Sequence, residues 1–231
     1  MTQLSIIIPA FNEEKRLTEP ILKAREYLDL NFDEYQMILV DDGSTDRTVE
    51  IASKIEGLEI IELKTNQGKG AAVRTGMLNA KGQFRVFSDT DFSTPIYELP
   101  KLLKKLKNGV DVAIGSRALN QEMIKEHQPF YREMMGKIFN KIVQALVVKG
   151  ISDTQCGFKG FTAKATEEIF QLAKIDGFSF DVELVYLAKK LGLNIEEIPV
   201  EWYNDERSKV NPITDSIRMI IEIFKIRKIH F

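Results

Sequence analysis

Residues 35–48 read YQMILVDDGSTDRT. Tyr35–Val40 is an apolar run of strand length, and Asp41, Asp42 and Gly43 end it in a turn. Ser44, Thr45 and Asp46 then offer side-chain oxygens able to cap a helix, expected over Asp46–Ile55. A buried strand that delivers carboxylates into a turn just ahead of a helix is the repeating unit of a parallel sheet. The unit recurs on both sides. Leu4–Ile8 runs into Pro9-Ala10-Phe11-Asn12-Glu13, and Phe84–Ser88 into Asp89-Thr90-Asp91. Leu58–Leu63 and Val110–Gly115 are two further strands, with helices expected at Ile21–Leu28, Gly70–Ala80 and Glu98–Leu106. The pattern predicts an α/β fold with a mainly parallel sheet covered by helices on both faces.

In such sheets, ligands bind in the crevice beyond the carboxyl ends of the strands. Three strands therefore bring polar residues to one edge. Asp89 and Asp91 offer two hard oxygen donors, a set suited to Mg²⁺ or Mn²⁺ shared with substrate phosphates. Asp42 is placed to meet a ribose hydroxyl or a base edge, although Asp41-Asp42-Gly43-Ser44 would also make a turn, and one of the two aspartates can serve only that purpose. Asn66-Gln67-Gly68-Lys69-Gly70 opens a helix without the spacing of a phosphate loop, which leaves Lys69 near the nucleotide.

The rest of the chain narrows the function classes. A net charge of -2 over 231 residues argues against nucleic acid as a partner. The single cysteine, Cys156, excludes an internal disulfide. The start MTQLSIIIPAFNEE has too short an apolar stretch for a signal peptide, and no run reaches the roughly 20 apolar residues of a membrane span. Any membrane contact is expected to be peripheral. His127 and His230 have no metal-ligand spacing.

Beyond Gly115, a polar segment from Arg117 to Pro129 precedes a helix over Tyr131–Val148. Helices follow at Thr162–Leu172 and Phe180–Leu191, then a strand at Ile195–Val200 and a last helix from Ile213. Residues 1–231 are read as one domain, of which the resemblance described next makes 1–117 the nucleotide-sugar-binding half and 118–231 the acceptor-binding half. Met135, Ile138, Phe139, Ile142 and Leu146 form one helical stripe, and Ile213, Ile217, Ile220, Ile221 and Phe224 another. Each suits either a core face or an interfacial anchor, and the basic tail Lys225–Phe231 suits an anionic membrane surface.

The stretches SIIIPAFNEE, ILVDDGSTDRT, NQGKGAAVRTGM, SDTDFSTP, AIGSRA and DTQCGFKGF closely resemble the family-two GT-A glycosyltransferases. Within that family the resemblance is greatest to the dolichyl-phosphate β-glucosyltransferases, with the dolichyl-phosphate mannose synthases close by. It runs from the first strand through FSFDVELVYLA to RSKV. It implies a GT-A fold in which Pro9, Phe11, Glu13, Val40 and Asp42 line a nucleotide pocket. Asp89, Thr90 and Asp91 would hold metal and diphosphate, with Ser93 nearby. Arg117 and Arg132 would meet the acceptor phosphate or the donor diphosphate, and Lys209 would sit on a loop closing over the donor. Tyr203 stands where the mannose enzymes carry an arginine, and Arg207 is not position-matched to it.

The resemblance implies inverting transfer of a hexose, with UDP-glucose the favoured donor and GDP-mannose possible, onto a polyprenyl or dolichyl phosphate at the cytoplasmic face of a membrane. A phosphomonoester, with a second pKa of about 6, is largely dianionic at neutral pH and needs no general base. Cations must instead hold two anions together. Asp181 occupies the position of the catalytic aspartate in hydroxyl-acceptor relatives. It is therefore a candidate base, a sugar contact or a helix N-terminal residue, and the catalytic set is Asp91, Arg117 and Asp181. The alternative is a hydroxyl-acceptor transferase with Asp181 as base. Nucleotidyl transfer wants a Gly-rich, Arg-bearing loop after the first strand, which is absent, and the intact Asp89 and Asp91 argue against a non-catalytic sensor.

Overall fold

The computed structural model describes residues 3–205 and 214–230. Arg207 and Lys209 therefore lie outside the described residues. Among those described, strands β1 (Leu4–Ala10), β2 (Tyr35–Asp41), β3 (Leu58–Glu62), β4 (Phe84–Ser88), β5 (Val112–Ser116), β6 (Phe158–Thr162) and β7 (Ile195–Pro199) form one sheet in the order β3-β2-β1-β4-β6-β5-β7. All neighbours run parallel except β6, which is antiparallel to β4 and β5. The reading above had no strand at 158–162. Its sequence, FKGFT, breaks the apolar run with Lys159 and Gly160, and only its insertion between two parallel strands makes it part of the sheet. Strands from both sides of residue 117 thus share one sheet.

The helices are α1 (Thr18–Asn31), α2 (Thr48–Ala52), α3 (Lys69–Asn79), α4 (Leu99–Lys107), α5 (Phe130–Leu146), α6 (Ala163–Phe170), α7 (Phe180–Lys190) and α8 (Thr214–Ile229). Strand alternation divides them between two cores. Ile7, Ile38, Val40, Phe87, Ile114 and Phe161 face α3, α6, α7 and α8. Leu4, Ile6, Ile8, Leu39, Val86 and Phe158 face α1 and α4. Small residues let α3 lie close to the sheet: a Cβ on Gly76 would come within 2.8 Å of Val40 Cγ2.

Helix α2 is shorter than expected, and of the three candidate caps Asp46, not Ser44 or Thr45, bonds its first N–H. Its N-cap is Arg47, without a side-chain bond. Asp46 accepts from Thr48 N (2.9 Å) and Glu14 N (3.1 Å), which ties the turn after β2 to the turn after β1. Among the described side chains of α8, Met219, Ile223 and Ile226 are buried and Ile220 is partly so, while Ile221 and Phe224 of the expected stripe are exposed; the side chains of Ile213 and Ile217 lie outside those described.

Candidate active site

The carboxyl ends of β1, β2 and β4 open onto a cavity of about 760 Å³. Pro9, Phe11, Glu13, Asp42, Asp89, Thr90 and Asp91 all line it. The strand ends are cross-tied: Thr90 Oγ1 donates to Pro9 O (2.5 Å), and Asn12 N donates to Ser44 Oγ (2.8 Å) from a left-handed backbone at φ 53°. Val40 is placed elsewhere. It is fully buried against α3, because the side chain one residue before the strand's end alternates into the core rather than toward the crevice.

The two aspartates of the turn after β2 divide the work. Asp41 Oδ2 accepts from Ser44 N (2.9 Å) and holds the turn. Asp42 accepts from Gln67 N and Gly68 N (2.8 Å each), and so positions the loop that leads into α3. Burial raises the Asp42 pKa, against the pull of those two N–H donors. The same loop carries Lys69, whose Nζ lies 2.5 Å from Asp89 Oδ1. Burial opposes the Lys69 charge, but Asp89, Asp181 and Asp91 outweigh it and raise its pKa.

Asp91, two residues on from Asp89, is held by different partners. Its Oδ1 accepts from Ser93 N (2.9 Å), and Arg16 Nη1 lies 3.6 Å from Oδ2. Arg16 is itself held by Glu13 and by Asp205 (3.3 Å). Burial and the neighbouring Asp89 charge both raise the Asp91 pKa. Two carboxylates on one cavity wall, one of them disfavoured by the other's charge, fit a divalent cation, which relieves that repulsion. Among the described residues no group of three or more protein ligands forms. The donor set therefore suits Mg²⁺ or Mn²⁺ completed by water and phosphate oxygens rather than an all-protein cage.

Arg117 and Arg132 do not line this cavity. Both line a neighbouring one of about 140 Å³, together with Lys137, Asn140, Thr154 and Trp202. Arg117 grips buried Asp153 through two bonds, Nε to Oδ2 at 2.7 Å and Nη2 to Oδ1 at 2.9 Å, and packs 5.5 Å over the Trp202 ring. Burial works against the ionised Asp153, but Arg117 outweighs it and holds the pKa down at about 2. In the same cavity, Arg132 Nε, Asn140 Oδ1 and Thr154 Oγ1 are buried without a hydrogen-bond partner. The segment 153–157 joins the two cavities: Asp153 holds Arg117, and Gly157 O accepts from Asp89 N (3.1 Å). Four residues of chain reach at most about 14 Å, and Arg117 feels the Asp89 charge, so the basic pocket lies near the Asp89 end of the large cavity.

Asp181 opens α7 but lines neither cavity. It is bonded to the fully buried Lys159, whose Nζ also donates to Cys156 O (2.6 Å). Burial raises the Asp181 pKa, while Lys159 and Lys69 pull it down. Glu183 accepts from Lys174 N (2.9 Å) and Ile175 N (2.8 Å), which fixes the loop that forms the far wall of the large cavity. Sequence reading missed Arg16, Lys159 and Thr154 as site residues. Only the Glu13-Arg16 spacing at the strand end held a signal for the first. The other two lie in DTQCGFKGF, which the resemblance marked without giving either residue a role.

The glycosyl transferase family 2 model matches residues 5–170. The chain is 37% identical to dolichyl-phosphate beta-glucosyltransferase of Dictyostelium discoideum, over 97% of this chain and 73% of the relative. For the Homo sapiens and Saccharomyces cerevisiae enzymes of that name, identity is 36% and 34%, covering 97% of this chain and 75% and 74% of theirs. Among solved structures, glucosyl-3-phosphoglycerate synthase of Mycobacterium tuberculosis with UDP superposes with a TM-score of 0.72 at 17% identity, over 97% of this chain and 80% of that one. The same synthase with Mn²⁺, UDP-glucose and phosphoglyceric acid gives a TM-score of 0.71 at 17% identity, over 97% and 79%. These neighbours place the fold among the GT-A glycosyltransferases.

Proposed function

The chain belongs to glycosyl transferase family 2, and from that membership we propose that it moves a hexose, with UDP-glucose the favoured donor, onto a polyprenyl or dolichyl phosphate. The observation that carries this reading is the pair of neighbouring cavities. One has carboxylates at the strand ends and suits a nucleotide diphosphate with its cation. The other has Arg117, Arg132 and Lys137 around buried, unpartnered Arg132 Nε and Thr154 Oγ1, and suits a second anion. A phosphate supplies the acceptors those two groups lack.

The nucleoside occupies the Asp42 end and the diphosphate the Asp89–Asp91 end. A divalent cation held by Asp89 and Asp91 would neutralise the leaving diphosphate. Lys69, 2.5 Å from Asp89, adds a fixed positive charge beside that group. Arg117 is oriented by Asp153, so its guanidinium is preorganised toward the acceptor phosphate at no further conformational cost. The acceptor oxygen, already ionised, attacks in line behind the anomeric carbon and gives an inverted, β-linked sugar phosphate. No side chain has to remove a proton. Asp181 is engaged by buried Lys159 and lines neither cavity, which accords with that scheme.

A lipid acceptor calls for a membrane surface. Phe130, Met134 and Ile138 repeat every fourth residue along one exposed face of α5, near Arg132 and Lys137 on the same helix. No described helix is long and apolar enough to cross a membrane. We assign α5 as a peripheral contact at a cytoplasmic membrane face.

The test is incubation with UDP-glucose or GDP-mannose, Mn²⁺ or Mg²⁺, and a short polyprenyl phosphate, with mass identification of products. The expected product is a hexosyl polyprenyl phosphate from UDP-glucose, lost on chelation. Transfer to sugar hydroxyls that depends on Asp181 would overturn the assignment.

A further inference from the structure

The large cavity has a wall that none of the strand-end residues supplies. Arg218, Glu222, Lys225 and Ile229 line it from α8, at spacings of four, three and four residues, so one face of that helix is turned to the cavity. The placement is held by contacts that do not involve this face. Ser179 Oγ donates to Met219 O (3.2 Å), His230 Nε2 meets Glu183 Oε1 (2.6 Å), and Ile223 and Ile226 are fully buried.

Glu222 stands out on this face. Its Oε2 is buried and has no hydrogen-bond partner. A buried carboxylate oxygen without a donor is costly, so its presence at a ligand cavity points to a donor that the ligand brings. Its position along the cavity follows from neighbours. A Cβ on Gly177 would lie 2.8 Å from Glu222 Oε1, so Glu222 presses on the loop beside Asp176. Asp176 O accepts from Gly70 N (2.7 Å), and Gly68 N donates to Asp42. Glu222 therefore sits against the loop that packs on the Asp42-held turn before α3, and a carboxylate there repels a diphosphate but accepts from the neutral donors of a nucleoside. Asp42 already accepts two backbone N–H donors there, whereas Glu222 Oε2 accepts none.

We infer that Glu222 is a specificity-determining residue for the nucleoside half of the donor, its Oε2 accepting a hydrogen bond from a ribose hydroxyl or a ring N–H of the base. The inference rests on the donor reading proposed above. It adds that the C-terminal helix, and not only the strand ends, reads the nucleotide.

Calorimetry with UDP and steady-state kinetics with UDP-glucose test it, on wild type, Glu222→Ala and Glu222→Gln. A hydrogen bond to a charged group is worth about tenfold or more in affinity. Glu222→Ala should therefore weaken UDP binding and raise KM by about tenfold or more, with kcat unchanged, and Glu222→Gln should lie between. Thermal melts of the unliganded variants should be no lower than wild type, since the substitutions remove an unpartnered buried carboxylate oxygen. Deoxy-ribose and N3-methyl-uracil analogues identify the group recognised: wild type should discriminate against one of them, and Glu222→Ala should not. Normal UDP binding in wild type with unchanged affinity in both variants would overturn this inference alone. Failure of wild type to bind UDP would overturn the donor reading and this inference with it.

Discussion

Gly157 lies against the carboxylate of Asp89 so closely that a Cβ at position 157 would overlap it. The contact couples the start of β6 to the carboxylate-bearing end of β4. Gly157→Ala should leave the fold intact and displace the Asp89 carboxylate. Since a misplacement of about 1 Å can cost a hundredfold in rate, kcat/KM for donor should fall by about that factor. Wild-type kinetics in a folded Gly157→Ala protein would refute the coupling.

Asp91→Asn should separate stability from activity. Burial and Asp89 both oppose the Asp91 charge, so the neutral amide removes a repulsion from the unliganded fold. Its melting temperature should equal or exceed that of wild type. Transfer should fall by about a hundredfold or more, and Mn²⁺ should no longer protect the protein against heat.

Arg117 and Asp153 set an acid limit. The folded Asp153 pKa of about 2 lies below the ordinary carboxylate value, so its contribution is full above the unfolded value near 4 and is lost as pH falls through about 2. The size is on the order of 2 kcal/mol. Urea melts between pH 5 and pH 2 should show this loss in wild type and a flatter profile in Asp153→Asn. Arg117→Lys should keep the charge but lose the two-pronged grip, raising KM for the phosphate acceptor while leaving KM for the donor unchanged.

Lys159 and Asp181 form a buried pair, and breaking it from one side leaves an uncompensated charge. Lys159→Met should destabilise by about 3–5 kcal/mol. The double variant Lys159→Met/Asp181→Asn should recover part of that loss in chemical denaturation. Asp181→Asn alone should retain turnover with a phosphate acceptor once its lower stability is allowed for. A loss of kcat beyond a hundredfold in folded protein would make Asp181 a catalytic base.

The exposed face of α5 predicts membrane binding. Phe130→Ser/Met134→Ser should reduce co-sedimentation with anionic vesicles by about tenfold or more and leave UDP binding untouched.

Much of the sheet was readable because its strands are continuous apolar runs that end in turn residues, and such runs have few alternative placements. The donor edge was readable for the same reason: Pro9, Asp42, Asp89 and Asp91 follow directly from where strands stop. Val40 was misplaced because proximity to a strand end does not say which face a side chain takes. Strand β6 was missed because Lys159 and Gly160 interrupt its apolar character, and its buried lysine is tolerated through its bonds to Cys156 O and to Asp181 of α7.

The sequence by itself determined the α/β class, the family and the carboxylates at the crevice, because local hydrophobic pattern and chain order are sufficient to place strand ends. Only the tertiary structure decided that Asp153 orients Arg117, that Lys159 occupies Asp181, that Gly157 abuts Asp89, and that Glu222 from the last helix closes the cavity. Those partners are 22 to 68 residues apart in the chain or meet across separate elements, and no local propensity encodes which buried charge will find which. Packing around a shared sheet makes that choice, because each buried polar group left without a partner costs more than the fold can spare.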